Sequence, residues 1–248
     1  MAKGNRPRWT KSGVSNGVQN VYIRKWKGFI AYLQEHDHKE HGFRGHRKDS
    51  WPLIPTLYRG VKDRNQISEL KEKQLEQFKL AIRGKRGSNP QQYSDDSEWW
   101  ALGQHYELST PLLDWSFSPY VAAYFAFFKS GKDDTKQRNI YGINKPKIEK
   151  KSTPDIRFFV PNSDENSRVL NQNGFFSISE FATSIEDWVA RNFPGSKEPI
   201  LTRLHLPTSE REEILAGLEM MNINHLTLFP DLHGASIYTN RKVIESYS

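Results

Sequence analysis

The sequence predicts an α+β fold, a single domain in which helices flank a mixed sheet. Three observations carry this. Segments of helical period and short strand-like runs are interspersed along the chain but do not alternate strictly, which disfavours a doubly wound parallel sheet. No internal period appears, which argues against a repeat architecture. The 248 residues, 12% of them aromatic, suffice for one large domain with a sizeable core.

Each element has a local reason. Residues 1–20 are polar and rich in Gly, Ser and Asn, and read as a flexible basic arm ahead of a domain over 21–248. Trp26, Phe29, Ile30 and Leu33 share one face of a helix expected from Val21 to about His36. A strand follows at His41–Gly45, then an extended loop bounded by Pro52 and Pro55. Ile67, Leu70, Leu75, Phe78 and Ile82 mark an amphipathic helix ended by Gly84, and 83–90 is a basic turn. Ser94-Asp95-Asp96 caps a helix carrying Trp99, Trp100 and His105, which stops before Pro111. Ser118-Pro119 pairs a cap residue with proline at the first helical position. It opens a helix ending at Gly131, whose Ala122, Ala123 and Ala126 permit close packing on a sheet. Strands are expected at Asn139–Ile143, Ile156–Val160 and Phe175–Ile178, then a helix over 180–192 and a strand at Ile200–Leu206. Ser209-x-x-Glu212 reads as a capping box opening a helix to Asn222. His225–Phe229 reads as a strand, and Pro230 as the start of a final helix.

Composition bounds the function. No run reaches the roughly 18 apolar residues of a membrane span. The start MAKGNRPRWTKSG has no apolar segment, so no signal peptide is expected. The chain has no cysteine, which excludes disulfides, thiolate zinc sites and thiol nucleophiles within it. A cytoplasmic location is expected. The net charge of +7 is concentrated, because residues 1–50 hold 11 Lys/Arg against 4 Asp/Glu. Such asymmetry suits an acidic partner, nucleic acid or acidic protein, or else a solvated arm.

Phosphate-loop, dinucleotide, serine-hydrolase and zincin signatures are absent. His36, His38 and His41 cluster with carboxylates but read as an exposed helix end, and no metal is expected. The triplets Phe43-Arg44-Gly45 and Tyr58-Arg59-Gly60 place an anion-gripping guanidinium beside a glycine that lets backbone approach a ligand. A turn with a solvated charge is the alternative. Gln104 and His105 lie near a helix end. Asp114, between Leu113 and Trp115, needs a partner in its apolar setting. Ser116 and Ser118 follow in a tight turn. The structural alternative pairs Arg44 and Arg59 with Asp114 and Asp231 to fix loops, with His105 capping a helix.

These segments resemble the FRG domain family. Phe43-Arg44-Gly45 resembles its naming motif, and Trp51-Pro-Leu-Ile-Pro-Thr-Leu-Tyr-Arg59 the stretch that follows. Gln104-His105-Tyr106, Leu112-Leu113-Asp114-Trp115 and Ser118-Pro119 through Ala126 resemble its longest motif. Arg168 through Phe176 and Leu228 through Gly234 resemble two later ones. Two positions depart from the pattern: Pro111 replaces an arginine, and His46 stands where glutamine is common. The resemblance implies a split-sheet core distantly similar to ADP-ribosyltransferases, a bacterial toxin or phage-defence setting, and NAD as substrate. In that similarity Arg44 holds the NAD phosphates or ribose, Asp114-Trp115-Ser116 form the next wall, and Gln172 is the third element, with Asp231 the more distant candidate. His105 or Asp114 takes the acceptor's proton. Tyr58, Tyr106, Trp115 and Phe175 are the candidates to stack on nicotinamide, with core packing the alternative for most of them. The expected acceptor is nucleic acid, RNA above protein, and an acidic antitoxin suits the basic face. A non-enzymatic nucleotide-binding module and a hydrolase of NAD or phosphodiesters are the alternatives.

Overall fold

The residues that the computed structural model describes, 7–61, 63–151, 155–162 and 167–247, form one eight-stranded sheet with helices around it. Its strands are β1 (Trp9–Lys11), β2 (Val18–Ile23), β3 (His41–His46), β4 (Leu112–Ser116), β5 (Gln137–Asn144), β6 (Ile156–Phe159), β7 (Gly174–Ser179) and β8 (Leu201–Pro207). Their spatial order is β1-β2-β8-β5-β3-β4-β7-β6. The β2–β8 pair is parallel and the other pairs are antiparallel, so the sheet is mixed. This is the α+β class.

Ten helices flank it among the described residues: α1 (Trp26–Glu35), α2 (Ile67–Ala81), α3 (Asp96–His105), α4 (Pro119–Phe127), α5 (Lys145–Glu149), α6 (Ser167–Asn171), α7 (Ile185–Asn192), α8 (Arg211–Met220), α9 (His225–Leu228) and α10 (Leu232–Ser246). Three of the early elements begin as their sequence predicts. The Asp95 side chain accepts the Ser97 N–H at the start of α3. Ser118 accepts the Val121 N–H, with Pro119 in the first turn of α4. Strand β3 occupies the expected stretch.

The ladder is uneven. β3 pairs with β5 continuously, from His41↔Asn144 to His46↔Asn139. Between β3 and β4, by contrast, the register holds at Phe43↔Ser116 alone. No further register pair joins β3 to β4 among the described residues, which leaves a seam in mid-sheet. Three apolar clusters fill the described core. One packs α1, α4 and α8 on β2, β3, β5 and β8. A second lies under α7 and spans both halves through Trp115, Tyr141, Phe175 and Leu201. The third packs α2 and α3 on β4 and β7.

Several expectations are corrected. The arm expected over residues 1–20 contributes β1 and the start of β2 within its described part, while residues 1–6 lie outside the described residues. Val21 and Ile23 are buried and Tyr22 is exposed, a period of two, so the helix expected from Val21 starts only at Trp26. The capping box at Ser209 does not form. A short 3-10 turn precedes α8, and the Glu210 carboxylate accepts the Trp26 N–H (3.1 Å) instead. The helix expected over 180–192 begins at Ile185, capped by Ser184. The strand expected at His225–Phe229 is helix α9. Asn224 and Thr227 cap it reciprocally, each side chain accepting the other's backbone N–H.

Candidate functional site

Strand alternation gives the first triplet three different tasks. Phe43 is 2% exposed and joins the cluster under α4. Gly45 lies where an added Cβ would meet the Ala122 carbonyl oxygen at 2.0 Å and the Ala126 nitrogen at 2.6 Å. The glycine therefore permits close approach of β3 to α4. Arg44, between them, points into the seam. Its Nη1 donates to the Asp114 carbonyl oxygen (2.8 Å) and carboxylate (2.9 Å) on β4. Its Nε donates to His46 Nε2 (3.2 Å). The guanidinium thus bridges β3 and β4 where the ladder has stopped. His46 is buried, and its Nδ1 donates to the Trp51 carbonyl (3.2 Å), so its Nε2 carries the lone pair that Arg44 meets. Burial first, then the Arg44 charge, lower the His46 pKa to about 3. The ring is neutral at physiological pH.

A cavity of about 350 Å³ opens at this seam. Arg44 and Gly45 from β3, Gln104 and His105 from α3, Asp114 from β4 and Gln172 after α6 all line it. Asp114 is fixed from two sides, by Arg44 and by Gln104 Nε2, while Gln104 Oε1 accepts the Thr110 hydroxyl. The Asp114 side chain remains 53% exposed, open to a ligand. Gln172 Nε2 donates to the Leu228 carbonyl (3.1 Å). Asn173, at φ +46°, turns the chain from α6 into β7, a conformation asparagine tolerates. Across this turn the Ser116 hydroxyl donates to the Gln172 carbonyl (2.7 Å) and accepts the Ser118 N–H (3.0 Å). Ser116 therefore fastens the end of β4 to the start of α4, and its hydroxyl is already engaged.

Other expected residues are placed elsewhere. Tyr58 is 2% exposed, and its hydroxyl donates to the Ser179 carbonyl (3.0 Å) inside the third cluster, away from the cavity. Arg59 does not line the cavity. Its Nε donates to the Ile54 carbonyl (3.2 Å), and Gly60 beside it takes φ +81° with open space around it. The second triplet is a turn, the alternative its sequence left open. Trp115 touches the cavity wall but is buried, with its indole donating to Ser177 Oγ (2.9 Å). Asp231 does not line the cavity. It caps α10 through the Gly234 N–H (2.7 Å) and pairs with Arg168 (2.6 Å). The pairing of Arg59 with Asp231 is thereby replaced by Arg168 with Asp231, while that of Arg44 with Asp114 forms. Pro111 is buried ahead of β4 and does not line the cavity. His36, at the end of α1, meets Lys11, and no group of three or more His, Asp or Glu among the described residues is placed to hold a metal.

Sequence reasoning missed Arg168, Phe125 and Phe229, which also line the cavity. Arg168 lies over the Phe229 ring, 5.3 Å from its centroid. The signal was present, because Arg168 and Phe229 stand inside the two late motifs.

No helix among the described residues is long and apolar enough to cross a membrane. No curated protein and no solved structure matches the chain. Residues 39–135 match the FRG domain, a span running from just before β3 to just beyond α4 that includes Arg44, His105 and Asp114 while leaving out Arg168 and Gln172. This stretch of the chain is thus similar to the FRG domain.

Proposed function

We propose that the protein is an ADP-ribosyltransferase that cleaves NAD between ribose and nicotinamide and passes ADP-ribose to an acceptor, nucleic acid in preference to protein and RNA above all. One observation carries the reading: Arg44, His105, Asp114 and Gln172, from four separate stretches of chain, line one cavity at the seam of the sheet. The resemblance implies an arginine on an early strand, a serine-bearing strand leading into an alanine-rich helix and a third polar element, and the presence of Arg44, Ser116 and Gln172 on one cavity supports the reading. The cavity volume falls within the roughly 300–1,000 Å³ of small-molecule sites.

Breaking the ribose–nicotinamide bond builds positive charge on the sugar. The Asp114 carboxylate, held by Arg44 and Gln104, stabilises that charge without having to reorganise. Arg44 spends Nη1 and Nε on protein partners, and among the described residues Nη2 has none, so that nitrogen takes a phosphate or ribose oxygen of the ligand. Gln172 has no proton to lose at neutral pH and acts by orienting the ribose. His105 receives the acceptor's proton. Phe125, only partly buried on the cavity wall, offers an aromatic contact for nicotinamide, which the buried Tyr58 and Trp115 do not. An acidic antitoxin suits the basic chain, and the family resemblance is the ground for a role in phage defence in the cytoplasm.

Incubation with NAD labelled on its adenylate phosphate, together with total RNA, DNA or protein, tests the proposal. Label transferred to RNA is the expected result. Nicotinamide release without transfer identifies a hydrolase, and absence of release overturns the enzymatic reading in favour of a binding module.

A further inference from the structure

We infer that a second hollow beside the cavity is a subsite for a purine nucleoside monophosphate, the adenylate half of the dinucleotide, and that the pyrophosphate crosses between the two at Arg168. The inference rests on the NAD reading above and deepens it. The second hollow is an open groove of about 400 Å³ between the end of α3 and α10. It shares His105, Arg168 and Phe229 with the cavity as a common wall. Two adjoining spaces of about 350 and 400 Å³ each suit one nucleotide.

The wall between them is built for an anion. Arg168 Nε and Nη2 both donate to Asp231 Oδ2 (2.9 and 2.6 Å), and the guanidinium lies over Phe229. Asp231 is itself anchored as the cap of α10. The cation is thus held in place from one side, and among the described residues Nη1 has no protein partner. A pre-positioned guanidinium with a donor to spare is what a bridging pyrophosphate needs. Lys129, exposed on the same groove, adds a second cation.

The groove itself has the mixed character of a nucleobase site. Phe128, Ile237 and the 69%-exposed Tyr106 supply apolar surface. Glu107 is the carboxylate on its lining and can accept the exocyclic amine of adenine.

Calorimetric titration of the full chain with adenosine monophosphate, nicotinamide mononucleotide and NAD tests the assignment. The two mononucleotides are expected to bind together without competing, and NAD at least tenfold more tightly than either. Ile237→Trp, which fills the groove, and Lys129→Glu, which repels the phosphate without altering the core, are each expected to weaken adenosine monophosphate at least tenfold. Arg44→Ala should weaken nicotinamide mononucleotide instead. Competition between the two, or adenosine monophosphate binding indifferent to both groove variants, overturns the subsite. Adenosine monophosphate bound in the groove without any ADP-ribosyl transfer supports the subsite while the transferase reading falls. Transfer without such binding overturns the subsite alone.

Discussion

Alanine at Gly45 and at Gly60 puts the two triplets to the sharpest test, because the substitutions are identical and the structure assigns them different costs. At Gly45 the added methyl would sit 2.0 Å from the Ala122 carbonyl oxygen, a full ångström inside the 3.0 Å that real Cβ contacts respect. The obstruction is backbone on α4 and cannot rotate away. Ala122 and Ala126 are 1% and 0% exposed, so α4 can retreat only by opening the first cluster. Overpacking of this kind costs roughly 1–3 kcal/mol and more where backbone must move, so we expect about 3 kcal/mol or more for Gly45→Ala. At Gly60 nothing lies within 4 Å and the cost is the positive φ alone, about 1–2 kcal/mol for an L-residue and offset in part by the stiffer unfolded chain. Equilibrium urea unfolding followed by tryptophan fluorescence reads both as shifts in midpoint at unchanged slope. Because Ala122 and Phe125 line the cavity from α4, Gly45→Ala should also weaken nucleotide binding at temperatures where it remains folded. Equal destabilisation by the two variants, or a Gly45→Ala loss below 1 kcal/mol, would refute the close-approach account.

Three further outcomes are expected. Arg44→Ala removes three hydrogen bonds, but the Asp114 partner is half exposed and its ion pair correspondingly screened. The stability loss should be about 1–2 kcal/mol in a fold of roughly 5–15, while ADP-ribosyl transfer falls at least 100-fold; unfolding of the variant would make the arginine structural. His46 has a folded pKa of about 3 against an ordinary 6.5, so between these values the unfolded chain binds a proton that the folded one does not. Its contribution is fully present above pH 6.5 and is lost as pH falls toward 3, at up to about 1.4 kcal/mol per pH unit. His46→Gln should reduce the slope in denaturation series from pH 7 to 4 by this share, leaving the part contributed by His38, His205 and His225, whose pKa values burial also lowers to about 4. Ser177→Ala strands the buried Trp115 indole N–H, which should cost about 1–3 kcal/mol in the same unfolding assay, without a change in mononucleotide affinity.

Much of this was legible in the sequence where a local device fixes the backbone. Ser118-Pro119 announced α4, Asp95 announced α3, and the apolar spacing after Ile67 gave α2. The cavity could be anticipated because Arg44, Gln104, His105, Asp114 and Gln172 stand in recognisable motifs. What stayed hidden depends on partners far along the chain. Residues 18–23 become a strand because Leu201–His205 lies parallel to them, an arrangement no local period reveals. His225–Phe229 is too short a run to separate helix from strand by periodicity, and the Asn224/Thr227 cap decides it. Arg168 escaped notice because its role is set by Asp231, 63 residues away. The sequence likewise offered no means of telling the two glycines apart, since one is defined by a neighbour's carbonyl and the other by its own φ.

The seam between β3 and β4 has a consequence for how such a protein can diversify. Side chains at its lips are fastened mainly to one another and only sparsely to the ladder, whereas the apolar clusters on either side hold the scaffold. Replacing a polar residue on the lip therefore retunes what the opening accepts and leaves the halves intact. On the proposed reading, ligand preference rests mainly on exposed polar lip positions such as Asp114 and fold stability mainly on the apolar clusters, with Gly45 and Ser116 serving both.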